Sequence, residues 1–118
     1  MKINGVELED LDIYDADVAE KYEKQLDKIE KLTTKVEGMG LSEGIRYQCN
    51  LIFDIFNELF GEGTDKKVFG EKVNLKICLN AFAELIEQTN EQKKEIGKLS
   101  NKYSPNRAQR RTKKKWTS

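Results

Sequence analysis

The sequence predicts a mainly α fold: a three-helix bundle with a short N-terminal β-hairpin, a glycine-rich connection holding one helical turn, and a basic C-terminal tail. Three observations carry that expectation. Apolar residues recur at steps of three and four over long stretches, which places them on one face of a helix. Gly38, Gly61, Gly70 and the single proline, Pro105, sit at the edges of those stretches. Asn4-Gly5 lies between two short arms of alternating polarity, the preferred pair for a two-residue hairpin turn. A chain of 118 residues fits one domain of ordinary size.

In "KINGVEL", Ile3 and Val6 flank the turn and Leu8 lies on the second arm. So short a hairpin is marginal alone and needs a helix or another sheet edge to pack on. The first long helix is "DADVAEKYEKQLDKIEKLTTKVEG", capped by Asp15 or Asp17 and ended by Gly38. Val18, Tyr22, Leu26, Ile29, Thr33 and Val36 form its narrow stripe. Glu20/Lys24 and Asp27/Lys31 add pairs worth ~0.3–0.5 kcal/mol each.

The second helix, "LSEGIRYQCNLIFDIFNELFGEG", runs from a Ser42 cap to Gly61. Ile45, Cys49, Leu51, Ile52, Phe53, Ile55, Phe56, Leu59 and Phe60 cover an arc of ~200° on it, so it must be covered on more than one side. That makes it the central core helix. In "GEGTDKKVFGEKVNL", Thr64 or Asp65 caps one turn carrying Val68 and Phe69, and Gly70 closes it. The third helix starts at an Asn74 cap, with Leu75, Cys78, Leu79, Phe82, Leu85 and Ile86 on its face. Ile96, Leu99 and Tyr103 continue that face more thinly. Pro105 cannot continue a helix and biases Ser104 away from one. Two parts result: a helical body with its hairpin over 1–104, and a basic, flexible tail over 105–118.

The chemistry is defined mostly by what is missing. The chain has no histidine, which removes the usual neutral-pH base and the commonest metal ligand. No glycine loop has phosphate-loop spacing. Asp10, Asp12, Asp15 and Asp17 crowd one stretch, but no register supplies the glycine of a calcium loop, so they read as acids at a helix start. Cys49 and Cys78 have helical flanks and read as buried, reduced thiols. We therefore expect no enzyme, no catalytic residue, no metal and no cofactor. No apolar run reaches the ~18 residues of a membrane span, and "MKINGVELED" lacks the apolar core of a secretory signal. The expected location is the cytoplasm.

The net charge of zero hides an asymmetry. Residues 1–100 hold 14 Lys/Arg and 21 Asp/Glu, and residues 101–118 hold 7 Lys/Arg and no acid. An acidic body therefore carries a basic appendage. In "KYSPNRAQRRTKKKW" the cations Arg107, Arg110, Arg111, Lys113, Lys114 and Lys115 cluster ahead of Trp116. Three roles compete: contact with nucleic acid, docking on an acidic protein surface, and a solvated tail. The body, at −7, repels nucleic acid, and no basic helix face assists the tail. Docking on a protein is therefore the favoured reading.

"SPNRAQRR" resembles the ending of small proteins encoded among the tail-morphogenesis genes of long-tailed bacteriophages. "FNELFGEGTDKKVFGEKVNL" and "MKINGVELEDLDIYD" resemble an uncharacterised phage or prophage family of Gram-positive hosts. The resemblance implies a small, mainly helical, non-enzymatic protein of the tail module, similar to a tail assembly chaperone. It implies a partner such as the tape-measure protein, and residence in the host cytoplasm or the virion. A coating protein of that kind needs apolar surface and self-association. Phe60, Val68 and Phe69, beside the glycines, are the expected apolar interface. The hairpin edge is a candidate for pairing with a second copy in a homo-oligomer. A nucleic-acid-binding regulator that uses the tail is the alternative.

Overall fold

The computed structural model describes residues 1–102. Lys2–Ile3 (β1) and Val6–Glu7 (β2) pair antiparallel, with Ile3 opposite Val6. Asn4 at φ 53° and Gly5 at φ 75° make the turn; two successive positive φ values are what a type I′ turn requires. Five helices follow among the described residues: α1 Ala16–Glu30, α2 Leu32–Val36, α3 Leu41–Phe60, α4 Thr64–Phe69 and α5 Leu75–Lys102. The fold is mainly helical, with a two-stranded antiparallel sheet at its N-terminal end.

Asp15 caps α1, its Oδ1 accepting from the amides of Asp17 (2.9 Å) and Val18 (3.3 Å). The helix expected to run unbroken through Val36 is instead interrupted at Lys31, which sits at φ −86°, ψ −3°. Thr34 and Val36 are β-branched and stiff at χ1, so the run after Lys31 has low helix propensity and holds only a short helix. The cap of α3 also differs from expectation. Gly40, in extended backbone, precedes the first residue Leu41, and its carbonyl accepts from Gly44 at 2.9 Å. Ser42 lies inside the first turn.

α3 is touched by α1, α2, α4 and α5, which is why its apolar arc is so wide. Cys49, Ile52, Ile55 and Phe56 are each fully buried there. Gly61 ends α3, and α4 follows after Gly63 at φ 93°, a conformation that glycine adopts without strain. The expected Thr64 or Asp65 cap of α4 is corrected. The amide of Asp65 donates to Asn57 Oδ1 of α3 at 2.9 Å, while Thr64 Oγ1 donates back to the Gly61 carbonyl at 2.6 Å. One side chain of α3 thus fixes the start of α4.

Asn74 caps α5 through its Oδ1, which accepts from the Ile77 amide at 3.1 Å. Cys78, Ala81, Leu85 and Thr89 form the buried line of that helix. Two residues assigned to its inner face differ: Leu79 is 45% exposed and Leu99 40%. Leu79 lies on the outer flank of the stripe. Leu99 lies where cover has run out, because 28 residues extend a helix ~42 Å and the ~30 Å α3 cannot reach along it.

The N-terminal segment is tied to α5 by a row of side chains spaced one turn apart. Glu84 Oε1 accepts from the Asn4 amide (2.8 Å), and Gln88 Nε2 donates to the Lys2 carbonyl (2.8 Å). Gln92 Nε2 donates to the Leu11 carbonyl (2.7 Å), while its Oε1 accepts from the Ile13 amide (3.0 Å). Ile3, Leu8, Leu11 and Ile13 thereby enter the same core as Tyr22, Phe56 and Leu85. The hairpin is therefore buried against a helix.

Candidate interaction surface

Of the expected site residues, Arg107, Arg110, Arg111, Lys113, Lys114, Lys115 and Trp116 lie outside the described residues. The apolar set is placed, and it points inward. Val68 is 4% exposed and Phe69 7%. Phe69 meets the ring of Phe53 at 5.0 Å and that of Phe56 edge-on at 5.5 Å. Phe60 is half-buried, stacked on Phe56 at 5.9 Å. The expected exposed patch at Phe60–Phe69 is therefore corrected: it is the aromatic layer that holds α4 on α3, because Gly61 and Gly63 fold α4 back over its neighbour.

The surface carries other features. Past Gln92 only Ile96 of α5 is packed against the core, and Gly97 through Lys102 are all exposed. Leu85, Thr89, Gln92, Ile96 and Leu99 keep steps of four and three, so one seam runs from the body onto the uncovered end. At the opposite end of the helix layer, Leu41 is 84% exposed and Val73 39%. Beside them a shallow groove of about 410 Å³ is lined by Ser42, Ile45, Arg46, Glu71 and Val73.

A second groove, about 290 Å³, lies between the N-terminal segment and α1, with Leu59 of α3 also lining it. Asp10, Asp12, Asp17 and Lys21 line it together with Leu11 and Val18. Asp15 is spent as the α1 cap. Asp10 is engaged by the Met1 ammonium at 2.6 Å, and Glu7 binds the same ammonium at 3.0 Å; both contacts raise the pKa of that ammonium. Neither Asp12 nor Asp17 forms an ion pair among the described residues.

Tyr22 and Thr89 form a buried polar pair. The phenol of Tyr22 meets Thr89 Oγ1 at 2.6 Å, and Thr89 Oγ1 donates to the Ile86 carbonyl at 2.9 Å. A threonine hydroxyl has one proton, so Tyr22 is the donor of the first bond. Burial raises the Tyr22 pKa above its usual 10.0, with the Thr89 bond pulling the other way. Cys49 and Cys78 are free and buried. Burial, then the neighbouring Cys49 thiol, pushes Cys78 up to about 12. A thiol held neutral in this way is a poor nucleophile. Among the described residues no cluster of His, Cys, Asp or Glu is arranged to hold a metal ion, and no helix is long and apolar enough to cross a membrane.

The row formed by Glu84, Gln88 and Gln92 is the feature that sequence reasoning missed. The available signal is their regular spacing of four, which by itself does not say what that face of α5 meets. Comparison with known proteins finds a family model that matches residues 4–114, and that family is one of unknown function. No curated protein and no solved structure matches the chain.

Proposed function

The chain belongs to the family of unknown function DUF6673, and we propose that it is a non-enzymatic interaction protein of a phage tail module. In this reading it resembles a tail assembly chaperone and binds a partner such as the tape-measure protein in the host cytoplasm during virion assembly. The observation that carries the reading is the uncovered end of α5. Leu99 continues the inner seam of that helix past Ile96, the last of its residues packed against the core. A seam that keeps 3–4 spacing and loses its cover at Leu99 suits a helical partner. The basic segment follows directly, and the family match, ending at 114, takes in Arg107 through Lys114. An acidic body with a basic extension steers toward an acidic protein surface. The exposed edge at Leu41 and Val73 suits self-association into a homo-oligomer.

Co-expression tests this reading. The native chain is expected to keep a tape-measure-type helical protein soluble and to co-purify with it. Replacing Leu99 by Ser together with Arg110→Gln and Arg111→Gln should abolish both effects. Unchanged capture would count against the reading. A mobility-shift titration tests the alternative regulator role. Seven tail cations meeting duplex phosphates would give log K a slope of about −6 against log salt. Duplex binding that persists at physiological salt would favour that alternative.

A further inference from the structure

We propose that the groove lined by Asp10, Asp12 and Asp17 docks the chain's own basic segment, Arg107–Trp116, and so withholds it until a partner competes. This deepens the interaction reading and rests on it for the segment's role in partner contact. Docking itself requires no partner.

Three observations converge on that occupant. The first is charge. Residues 3–20 carry seven acids and no Lys or Arg, while residues 101–118 carry seven Lys/Arg and no acid. In the groove, Asp12 and Asp17 have no ion-pair partner among the described residues. Lys21 is the lining's own cation, and Asp10 is already shared with the Met1 ammonium. Asp12, whose Oδ1 accepts from the Tyr14 amide at 3.2 Å, and Asp17 are thus the groove carboxylates that no cation neutralises among the described residues.

The second is shape. Leu11 is buried and Val18 and Leu59 are half-buried, whereas Asp10, Asp12 and Asp17 are exposed. A groove with an apolar floor and an acidic rim fits the aliphatic stems and charged heads of Arg and Lys.

The third is reach. Gln92 pins Leu11 and Ile13 to α5, so the groove sits alongside that point of the helix. From Gln92 to Lys102 is about 15 Å along the axis at about 1.5 Å per residue. The chain from Lys102 to Arg107 spans at most about 17 Å when extended. Arg107 can therefore return to the level of the groove, with the remaining cations lying along it. Exposed ion pairs are individually weak. Tethering supplies what they lack, since a link of a few residues gives an effective concentration in the millimolar range. That favours the chain's own segment over that of a second copy.

Trp116, the only tryptophan, reports the contact in the full chain. At low salt its anisotropy should be raised and its quenching by acrylamide suppressed, independent of protein concentration. Both effects should vanish near 1 M salt, where the screening length is about 3 Å. They should also vanish in Asp12→Asn/Asp17→Asn and in Arg110→Gln/Arg111→Gln. The charge swap, Asp12→Lys/Asp17→Lys with Arg110→Glu/Arg111→Glu, should restore them. Circular dichroism checks that the body variants fold, and the tail pair, which leaves the body intact, decides the matter if they do not. Trp116 quenched like free indole at low salt would overturn the proposal, as would shielding that survives the tail substitutions. Shielding that grows with protein concentration would also overturn it, in favour of a second copy. Absent shielding with intact partner capture sinks only this inference. Shielding without capture sinks only the interaction reading.

Discussion

Tyr22 and Thr89 show how one proton decides which of two substitutions is worse. Thr89 spends its own hydrogen on the Ile86 carbonyl, so it serves Tyr22 as an acceptor. Tyr22→Phe removes a donor and leaves the Thr89 hydrogen satisfied, at an expected cost of about 1 kcal/mol. Thr89→Val strands the buried phenol hydrogen, at about 1–3 kcal/mol. Urea denaturation should therefore rank Thr89→Val as the more damaging, and the double variant should cost less than the sum of the two. An equal or reversed order would show that the bond runs the other way. Alkaline pH offers a second readout. Burial lifts the folded pKa of Tyr22 above 10.0, so its neutral form is favoured by folding. The stability linked to it is intact below pH 10.0 and is lost as pH rises through the folded value. Tyr22→Phe should flatten that part of the stability curve.

At the scale of elements, Gln92 separates what the sequence makes plain from what it hides. Periodicity announces α3, because nine apolar residues fall on one wide arc. Asn4-Gly5 announces the hairpin, because few other pairs accept two positive φ values. Cap identity was less legible. Asp15 and Asn74 act on their own helices, as their positions suggest, whereas α4 is capped by Asn57 from another helix. That is a tertiary fact with no local sign. Gln92 is the extreme case. A polar residue in a polar run, it joins both ends of its amide to the backbone at Leu11 and Ile13. Gln92→Ala should cost about 1–3 kcal/mol for those two bonds. It should also raise amide hydrogen exchange across residues 8–15 while leaving α3 protected. Uniform destabilisation, with no local loosening, would mean that Leu11 and Ile13 are held by packing alone.

Over the whole molecule, one length difference organises both stability and surface. Aromatic content pointed to Phe60, Val68 and Phe69 as an outward patch, but composition cannot say which way a glycine-hinged turn folds, and here it folds inward. What stays outside is set instead by α5 outrunning α3. The helix is cross-braced through Cys78, Leu85, Thr89 and Gln92, thinly held at Ile96, and exposed from Gly97 to Asn101. Buried apolar contact sets local opening free energy. Exchange along this single helix should therefore fall into two regimes: amides from Cys78 to Gln92 opening only with the whole fold, and those from Gly97 to Asn101 opening freely. The boundary should lie near Ile96, where Gly97 further weakens the helix by about 1 kcal/mol relative to alanine. Gly97→Ala should shift that boundary toward Lys102 without changing the global midpoint in urea. If the bare turns already exchange as slowly as Leu85, something covers them in solution, and the uncovered seam that supports the partner-binding proposal is not there.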